Sequence, residues 1–213
     1  MKRLMAVALG IVSIVMASHS HAEQLTVEYK SFYSHVRKLS SEDTQALQFA
    51  FGFINIRTKS LCTINEARIS TDKQQIPLQV TPEGRFTVPS EKALKLADAL
   101  IIIDLKEAAN ICDMSVQLET TPDYLKTQYT QQELSTLYKH YETFFDDMGG
   151  FMAFMMPKVD GLNIVFAEKL NTTLNSGQVI ENGKLFLSAN DINALSTLDL
   201  PLSPLRITAN TTK

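Results

Sequence analysis

The stretch at residues 61–88 reads LCTINEARISTDKQQIPLQVTPEGRFTV, and it decides the fold class. Two turn sequences, Asp72-Lys73 and Thr81-Pro82-Glu83-Gly84, divide it into short apolar runs. Proline, glycine and aspartate favour tight turns, and such turns join neighbouring antiparallel strands. The stretch therefore predicts three short antiparallel strands, at 61–69, 76–80 and 85–88.

The sequence around this stretch adds further strands. Phe49, Phe51 and Phe53 recur with a period of two, which predicts a strand with one buried face. Together with the central stretch, these elements predict a β-rich, sandwich-like half at residues 23–121. The other predicted elements are a strand running into a short helix within 25–36, a brief helix after Pro89, and strands at 99–105 and 111–118.

The two cysteines, Cys62 and Cys112, both follow apolar residues in strand-like segments. In an oxidising compartment such a pair is expected to form a disulfide. A redox-active pair would normally show Cys-x-x-Cys spacing, which is absent here. We therefore predict a structural bridge that joins the first strand of the central stretch to the last strand of the half.

The second half, residues 122–213, begins with a long amphipathic helix. Thr130 and Glu133 form a capping box at its start, and Gly149 follows its end. Asn182-Gly183 between two apolar runs predicts a hairpin. The predicted fold class is α+β, mostly antiparallel, and residues 120–127 are the one plausible boundary, although the halves could form one continuous domain. The predicted apolar face of the helix comprises Leu134, Leu137, Tyr138, Tyr141, Phe144, Phe145 and Met148.

The first 22 residues have the features of a secretion signal. Lys2 and Arg3 precede an apolar stretch at residues 5–16, and Ser20-His21-Ala22 has small residues at the cleavage-site spacing. The stretch is too short for a membrane-spanning helix, which needs about 20 apolar residues. We expect cleavage after Ala22 and a mature protein in the periplasm, without a transmembrane segment.

Charge and motifs exclude several classes of activity. The full chain has a formal net charge of −3, and its basic residues are scattered among acidic ones, so nucleic acid is not an expected partner. Walker, dinucleotide-binding, Gly-x-Ser-x-Gly and zinc-binding patterns are absent from the sequence. Ser70 and Lys73 match a Ser-x-x-Lys pattern but lack its partner motifs, so an exposed turn is expected there.

Three polar residues of the long helix carry side chains that could take part in chemistry. Asp146 and Asp147 are adjacent, so their side chains point about 100° apart and cannot converge on one bond. Solvation of the helix end is their expected role. His140, between Lys139 and Tyr141, is predicted to be a surface histidine. No catalytic, cofactor-binding or metal-ligating residue is assigned.

Methionine is concentrated just after the long helix. Three interpretations are open: an irregular core filled by flexible thioethers, a groove for an apolar ligand or a partner helix, and a Cu(I) site. The possible apolar ligand surface consists of Met148, Met152, Met155 and Met156.

Several short segments resemble a family of uncharacterised periplasmic proteins of gammaproteobacteria, classed as a domain of unknown function. The resemblance would cover nearly the whole mature chain and implies a Gram-negative envelope protein, but it brings no activity. The segments that carry it are Leu61-Cys62-Thr63-Ile64, the run from Gly84 to Pro89, the run from Ala97 to Ile101, Cys112, and Pro204-Leu205-Arg206-Ile207.

The leading functional hypothesis is a non-enzymatic binding or accessory domain of the cell envelope. It rests on a structured, β-rich chain without a catalytic constellation. One alternative is a carrier of an apolar or lipid-like ligand. The other is an envelope hydrolase whose carboxylates are dispersed in sequence. The expected partner is therefore an envelope component or a small apolar ligand.

Overall fold

The computed structural model describes residues 23–149 and 157–212, and its first half is built mainly from short strands. The predicted strands and the two short helices of this half are all present, with small shifts in their ends. The elements are β1 (Glu23–Glu28), α1 (Tyr29–Val36), β2 (Leu47–Asn55), β3 (Ile64–Ser70), β4 (Gln75–Leu78), β5 (Arg85–Phe86), α2 (Lys92–Leu96), β6 (Leu100–Leu105) and β7 (Cys112–Thr120).

The strands of the first half form two antiparallel sheets, with the orders β1-β6-β3-β4 and β5-β2-β7. The turn at 71–74 joins β3 to β4, as the central stretch predicts. The third strand of that stretch, however, pairs with β2 rather than extending the sheet of β3 and β4. Phe32 of α1 packs against Phe51 with ring centroids 4.9 Å apart, so α1 lies over the aromatic side of β2.

Strand β2 is buried on both sides in its middle, whereas its aromatic alternation predicts one buried face. Phe49, Phe51 and Phe53 belong to the core, as expected. Ala50 and Gly52, on the opposite side, are buried as well. The prediction was wrong for the second side because another side chain of the protein covers these small residues.

The second half contains the long helix and three small antiparallel sheets, with the orders β12-β9-β14, β13-β8 and β10-β11. The α+β, mostly antiparallel class is therefore confirmed. The elements are β8 (Gln128–Thr130), α3 (Gln131–Gly149), β9 (Lys158–Val165), β10 (Thr172–Thr173), β11 (Val179–Ile180), β12 (Lys184–Ser188), α4 (Ala189–Ala194), β13 (Thr197–Asp199) and β14 (Arg206–Thr212).

Helix α3 begins at the predicted capping box. The Thr130 N–H donates to Glu133 Oε2 at 2.9 Å, and the Glu133 N–H donates to Thr130 Oγ1 at 3.2 Å. A hydrogen bond from Lys126, together with those from Thr130, lowers the pKa of Glu133 to about 2. The carboxylate therefore stays charged at the positive end of the helix dipole over most of the pH range.

The prediction of a surface position for His140 was wrong. The side chain is buried, and its Nδ1 accepts a hydrogen bond from the Ala46 N–H at 3.3 Å. His140 lies three residues after Leu137 and four before Phe144, so it shares their buried side of the helix. The exposed Lys139 next to it in sequence points in another direction.

The hairpin at Asn182-Gly183 is confirmed. Both residues adopt positive φ angles, 50° and 73°, which is the conformation that a two-residue turn of this type requires. A side chain at Gly183 would place its Cβ 2.2 Å from the Glu168 carbonyl oxygen, so glycine is required there for space as well.

The two halves share buried contacts. Phe49 of β2 and Phe144 of α3 have ring centroids 5.7 Å apart, and the hydroxyl groups of Thr120 and Tyr141 are hydrogen-bonded at 3.1 Å. The division at residues 120–127 remains a prediction. Within the described ranges, no helix has both the length and the apolar character needed to cross a membrane.

Candidate functional site

The predicted disulfide between Cys62 and Cys112 is present, with the two Cα atoms 6.3 Å apart. Glu107 brings a carboxylate oxygen close to the two sulfurs, with all three ligand atoms within 4.8 Å of one another. Metal binding by cysteine requires thiolates, and these sulfurs are bonded to each other. The cluster is therefore a structural bridge rather than a metal site.

Among the described residues, the others that were singled out from the sequence lie at separate places in the fold. Met148 is 39% exposed near the end of α3, whereas Met152, Met155 and Met156 lie outside the described residues, so the apolar ligand surface stays a prediction. Asp146 and Asp147 are exposed at the end of the helix. Ser70 is the last residue of β3, and Lys73 lies in the exposed turn that joins β3 to β4.

A polar site occurs instead on the side of β2 opposite the phenylalanines. Gln48, Ala50 and Gly52 point to this side, because alternate residues of a strand share a face. Arg85 of β5 is directly opposite Gly52, and its side chain crosses the sheet there. A Cβ on Gly52 would lie 3.0 Å from the Gly84 carbonyl oxygen and 3.3 Å from Arg85 Cγ, so the glycine makes room for the arginine.

The Arg85 guanidinium is buried with only part of its hydrogen bonding satisfied. The residue is 9% exposed, and its two terminal nitrogens donate to the Ala50 carbonyl oxygen and to Ser115 Oγ, both at 3.3 Å. Its buried Nε–H has no acceptor among the described residues. Burial, and then the nearby charge of Arg206, lower the pKa of Arg85.

A second arginine, Arg206 at the start of β14, lies on the same side. Its Nη1 donates to Gln117 Oε1 at 3.2 Å, and its Nη2 is 3.9 Å from a carboxylate oxygen of Glu83. Its Nε–H is also buried, and no described residue accepts a hydrogen bond from it. Two guanidinium groups therefore each keep one buried donor without an acceptor in the described part of the chain.

Glu119 of β7 is the acidic member of the site. Its Oε1 accepts a hydrogen bond from Gln48 Nε2 at 3.2 Å, and Glu119 is directly opposite Gln48 in the sheet. Burial raises its pKa, and the hydrogen bond from Gln48 and the charges of Arg206 and Arg85 oppose that rise. The net result is a raised pKa, so Glu119 takes up a proton at a higher pH than an exposed glutamate does.

These side chains line a cleft of about 170 Å³, which we call the arginine cleft. Two guanidinium groups on the wall of one cleft are suited to bind a carboxylate or another oxyanion. The remaining lining residues, from three connecting segments of the chain, include Thr81, Pro82, Pro122, Leu125 and Leu205.

A larger apolar groove lies beside the arginine cleft, and Gln48 lines both. Its volume is about 500 Å³, within the range of small-molecule sites. We call it the β2–β4 groove because residues of both strands line it. Its apolar walls are formed by Val36, Leu39, Leu47, Phe49, Ile76, Leu78 and Val88.

The sequence model of one protein family, described as a protein of unknown function (DUF2987), matches residues 21–166. This chain belongs to the DUF2987 family. The match covers both cysteines, Arg85 and Glu119, whereas Arg206 and the 204–207 segment of the sequence resemblance lie beyond it. Neither the curated proteins nor the solved structures contain a significant match.

The site of this DUF2987 protein was missed from the sequence because Arg85, Glu119 and Arg206 are far apart in the chain. One signal was available. Small residues at positions 50 and 52, between the phenylalanines of β2, indicate that something other than their own side chains must cover that side of the strand. The sequence does not say which residue covers it.

Proposed function

We propose that this DUF2987 protein is an exported, non-enzymatic binding protein of the cell envelope that takes an anionic ligand in the arginine cleft. The observation that carries the proposal is that the guanidinium groups of Arg85 and Arg206 line one cleft, each with a buried Nε–H for which no described residue is an acceptor. A buried guanidinium whose hydrogen bonds are only partly made costs free energy, and an oxyanion in the cleft would supply acceptors to both groups.

The charge balance of the cleft favours a singly charged ligand. Arg85 and Arg206 are matched by Glu83 and Glu119, so the empty cleft is neutral when all four are ionised. Binding of one anion would then give the cleft one net negative charge, and uptake of one proton would neutralise it. Glu119 can take up this proton, because burial already raises its pKa and a neighbouring anion raises it further.

This balance predicts anion binding that strengthens as the pH falls. Titration with methanesulfonate, which stays ionised throughout, should shift the amide NMR signals of the cleft, with Kd decreasing as the pH drops through the pKa of Glu119 and levelling off below it. Arg206→Gln should weaken binding about 10-fold or more, since it removes a charge-assisted hydrogen bond. Glu119→Gln should abolish the pH dependence.

The matched control is Arg57→Gln, which removes an arginine from an exposed turn and should leave Kd unchanged. Equal weakening by both substitutions would mean that only the overall charge of the protein attracts the anion. An unchanged Kd for methanesulfonate in Arg206→Gln would refute the arginine cleft as the site.

Export is a separate part of the proposal and has its own test. Expression of the full chain in a Gram-negative host should give a periplasmic protein whose intact mass begins at Glu23 and lacks the two thiol hydrogens of Cys62 and Cys112. The support for this expectation is the sequence of residues 1–22, which lie outside the described residues, and the disulfide. Cytoplasmic protein with an intact amino terminus would contradict it.

A hydrolase with dispersed carboxylates is the second candidate. The observation that favours it is the presence of Glu83 and Glu119 in one cleft, the latter with a raised pKa. A carboxyl group that holds its proton can act as a general acid. Turnover of an envelope polysaccharide or peptide that is abolished by Glu119→Gln would favour this candidate over binding alone.

A further inference from the structure

The β2–β4 groove adjoins the arginine cleft at Gln48, and the two differ in chemistry. The groove is walled mainly by aliphatic and aromatic side chains, whereas the cleft holds two arginines and two glutamates. A ligand that occupied both would need an apolar portion and an anionic end. This argument rests on the proposed function, because it takes the arginine cleft as the anion site.

An extended peptide is one possible occupant, because the groove borders two strand edges. β4 is the last strand of its sheet, and β5 pairs with β2 only at Phe51 and Gly52. Strand addition, however, depends on a regular row of backbone donors. Pro77, in the middle of β4, has no N–H, and its nitrogen faces away from β3. The β4 edge is therefore poorly suited to accept another strand.

The volume of the groove sets the size of the apolar portion. A CH₂ group is about the size of a water molecule, which occupies about 30 Å³ in the liquid. A groove of about 500 Å³ accommodates one acyl chain of ordinary length, not two. The neutral cleft, in which one proton on Glu119 balances one added charge, favours a monoanionic head group over a phosphate.

We infer that the ligand is a single-chain amphiphile with a carboxylate head, of the fatty-acid class. The carboxylate binds to the guanidinium groups of Arg85 and Arg206 that line the arginine cleft, and the acyl chain passes Gln48 into the β2–β4 groove. The chain covers the half-buried side chains of Leu39, Ile76 and Leu78, which the fold leaves partly exposed to water.

Calorimetric titration with carboxylates from acetate to dodecanoate, below their micelle concentrations, tests this inference. Affinity should rise about two- to fourfold for each added CH₂ group until the groove is full. Thr87→Trp places an indole in the groove from an exposed position and should lower the affinity for dodecanoate at least about 10-fold without changing that for acetate. Lys73→Trp, in the β3–β4 turn outside the groove, is the matched control and should have no effect.

The outcomes separate this inference from the proposed function. If acetate binding requires Arg206 but affinity does not grow with chain length and Thr87→Trp has no effect, the inference fails and the anion site stands. If Arg206→Gln changes the affinity for neither acetate nor dodecanoate, both the inference and the proposed function fail. A peptide with a free carboxyl terminus that binds more tightly than dodecanoate and is blocked by Thr87→Trp would replace the amphiphile.

Discussion

Replacing Cys62 and Cys112 together with alanine should lower the free energy of unfolding by about 2–5 kcal/mol, the usual cost of removing a native disulfide. The bridge spans 50 positions of the chain and joins the loop before β3 to the first residue of β7. In the chain-entropy account, an unfolded chain without this link gains many conformations that the oxidised chain cannot reach. Both cysteines are buried, so alanine avoids placing a hydroxyl in the core.

Chemical denaturation followed by circular dichroism measures this effect. The unsubstituted protein in excess reductant serves as the control and should unfold at the same denaturant concentration as the double variant. If reduction leaves the unfolding midpoint unchanged, the two sheets hold the loop closed by packing alone, and the bridge adds no stability.

Elements determined by neighbouring residues were predicted correctly from the sequence. Thr130 and Glu133 lie three positions apart, so their reciprocal hydrogen bonds depend on local geometry only. Asn182-Gly183 sets its turn through backbone preferences of the two residues themselves. The alternation in β2 likewise showed which residues face the core.

Features determined by distant residues were not predicted. The sequence does not indicate whether β5 pairs with β2 or with β4, and in the structure it pairs with β2. The neighbours of His140 in sequence indicate a surface position, but its burial depends on the segment that packs over α3 near Ala46. In both cases a long-range contact overrides the local pattern.

The arginine cleft is the clearest example of this limit. Gly52 is opposite Arg85 on one side and Ser115 on the other, so strand register alone brings those side chains together. Arg206 arrives from β14, at the far end of the chain. No spacing rule connects these positions, and the cleft becomes visible only once the register is known.

Arg85→Met should weaken anion binding strongly while leaving stability nearly unchanged. A buried guanidinium loses much of its hydration, and one of its donors has no partner in the described protein, so relief of this cost should offset the loss of its hydrogen bonds to Ala50 and Ser115, and the free energy of unfolding should change by no more than about 1 kcal/mol. The same change removes a charge-assisted donor from the cleft, which should raise Kd for methanesulfonate about 10-fold to 100-fold.

The contrast between the effect on stability and the effect on binding distinguishes an arginine that binds the ligand from one that stabilises the fold. Thermal unfolding and the methanesulfonate titration would be measured on the same samples, with Arg57→Met, at an exposed position, as the control for loss of one positive charge. If Arg85→Met instead destabilises the protein by several kcal/mol, its bonds to the Ala50 carbonyl and Ser115 outweigh the cost of burial, and the arginine holds β5 against β2. A stable variant that still binds the anion would remove Arg85 from the site and leave Arg206 as its only arginine.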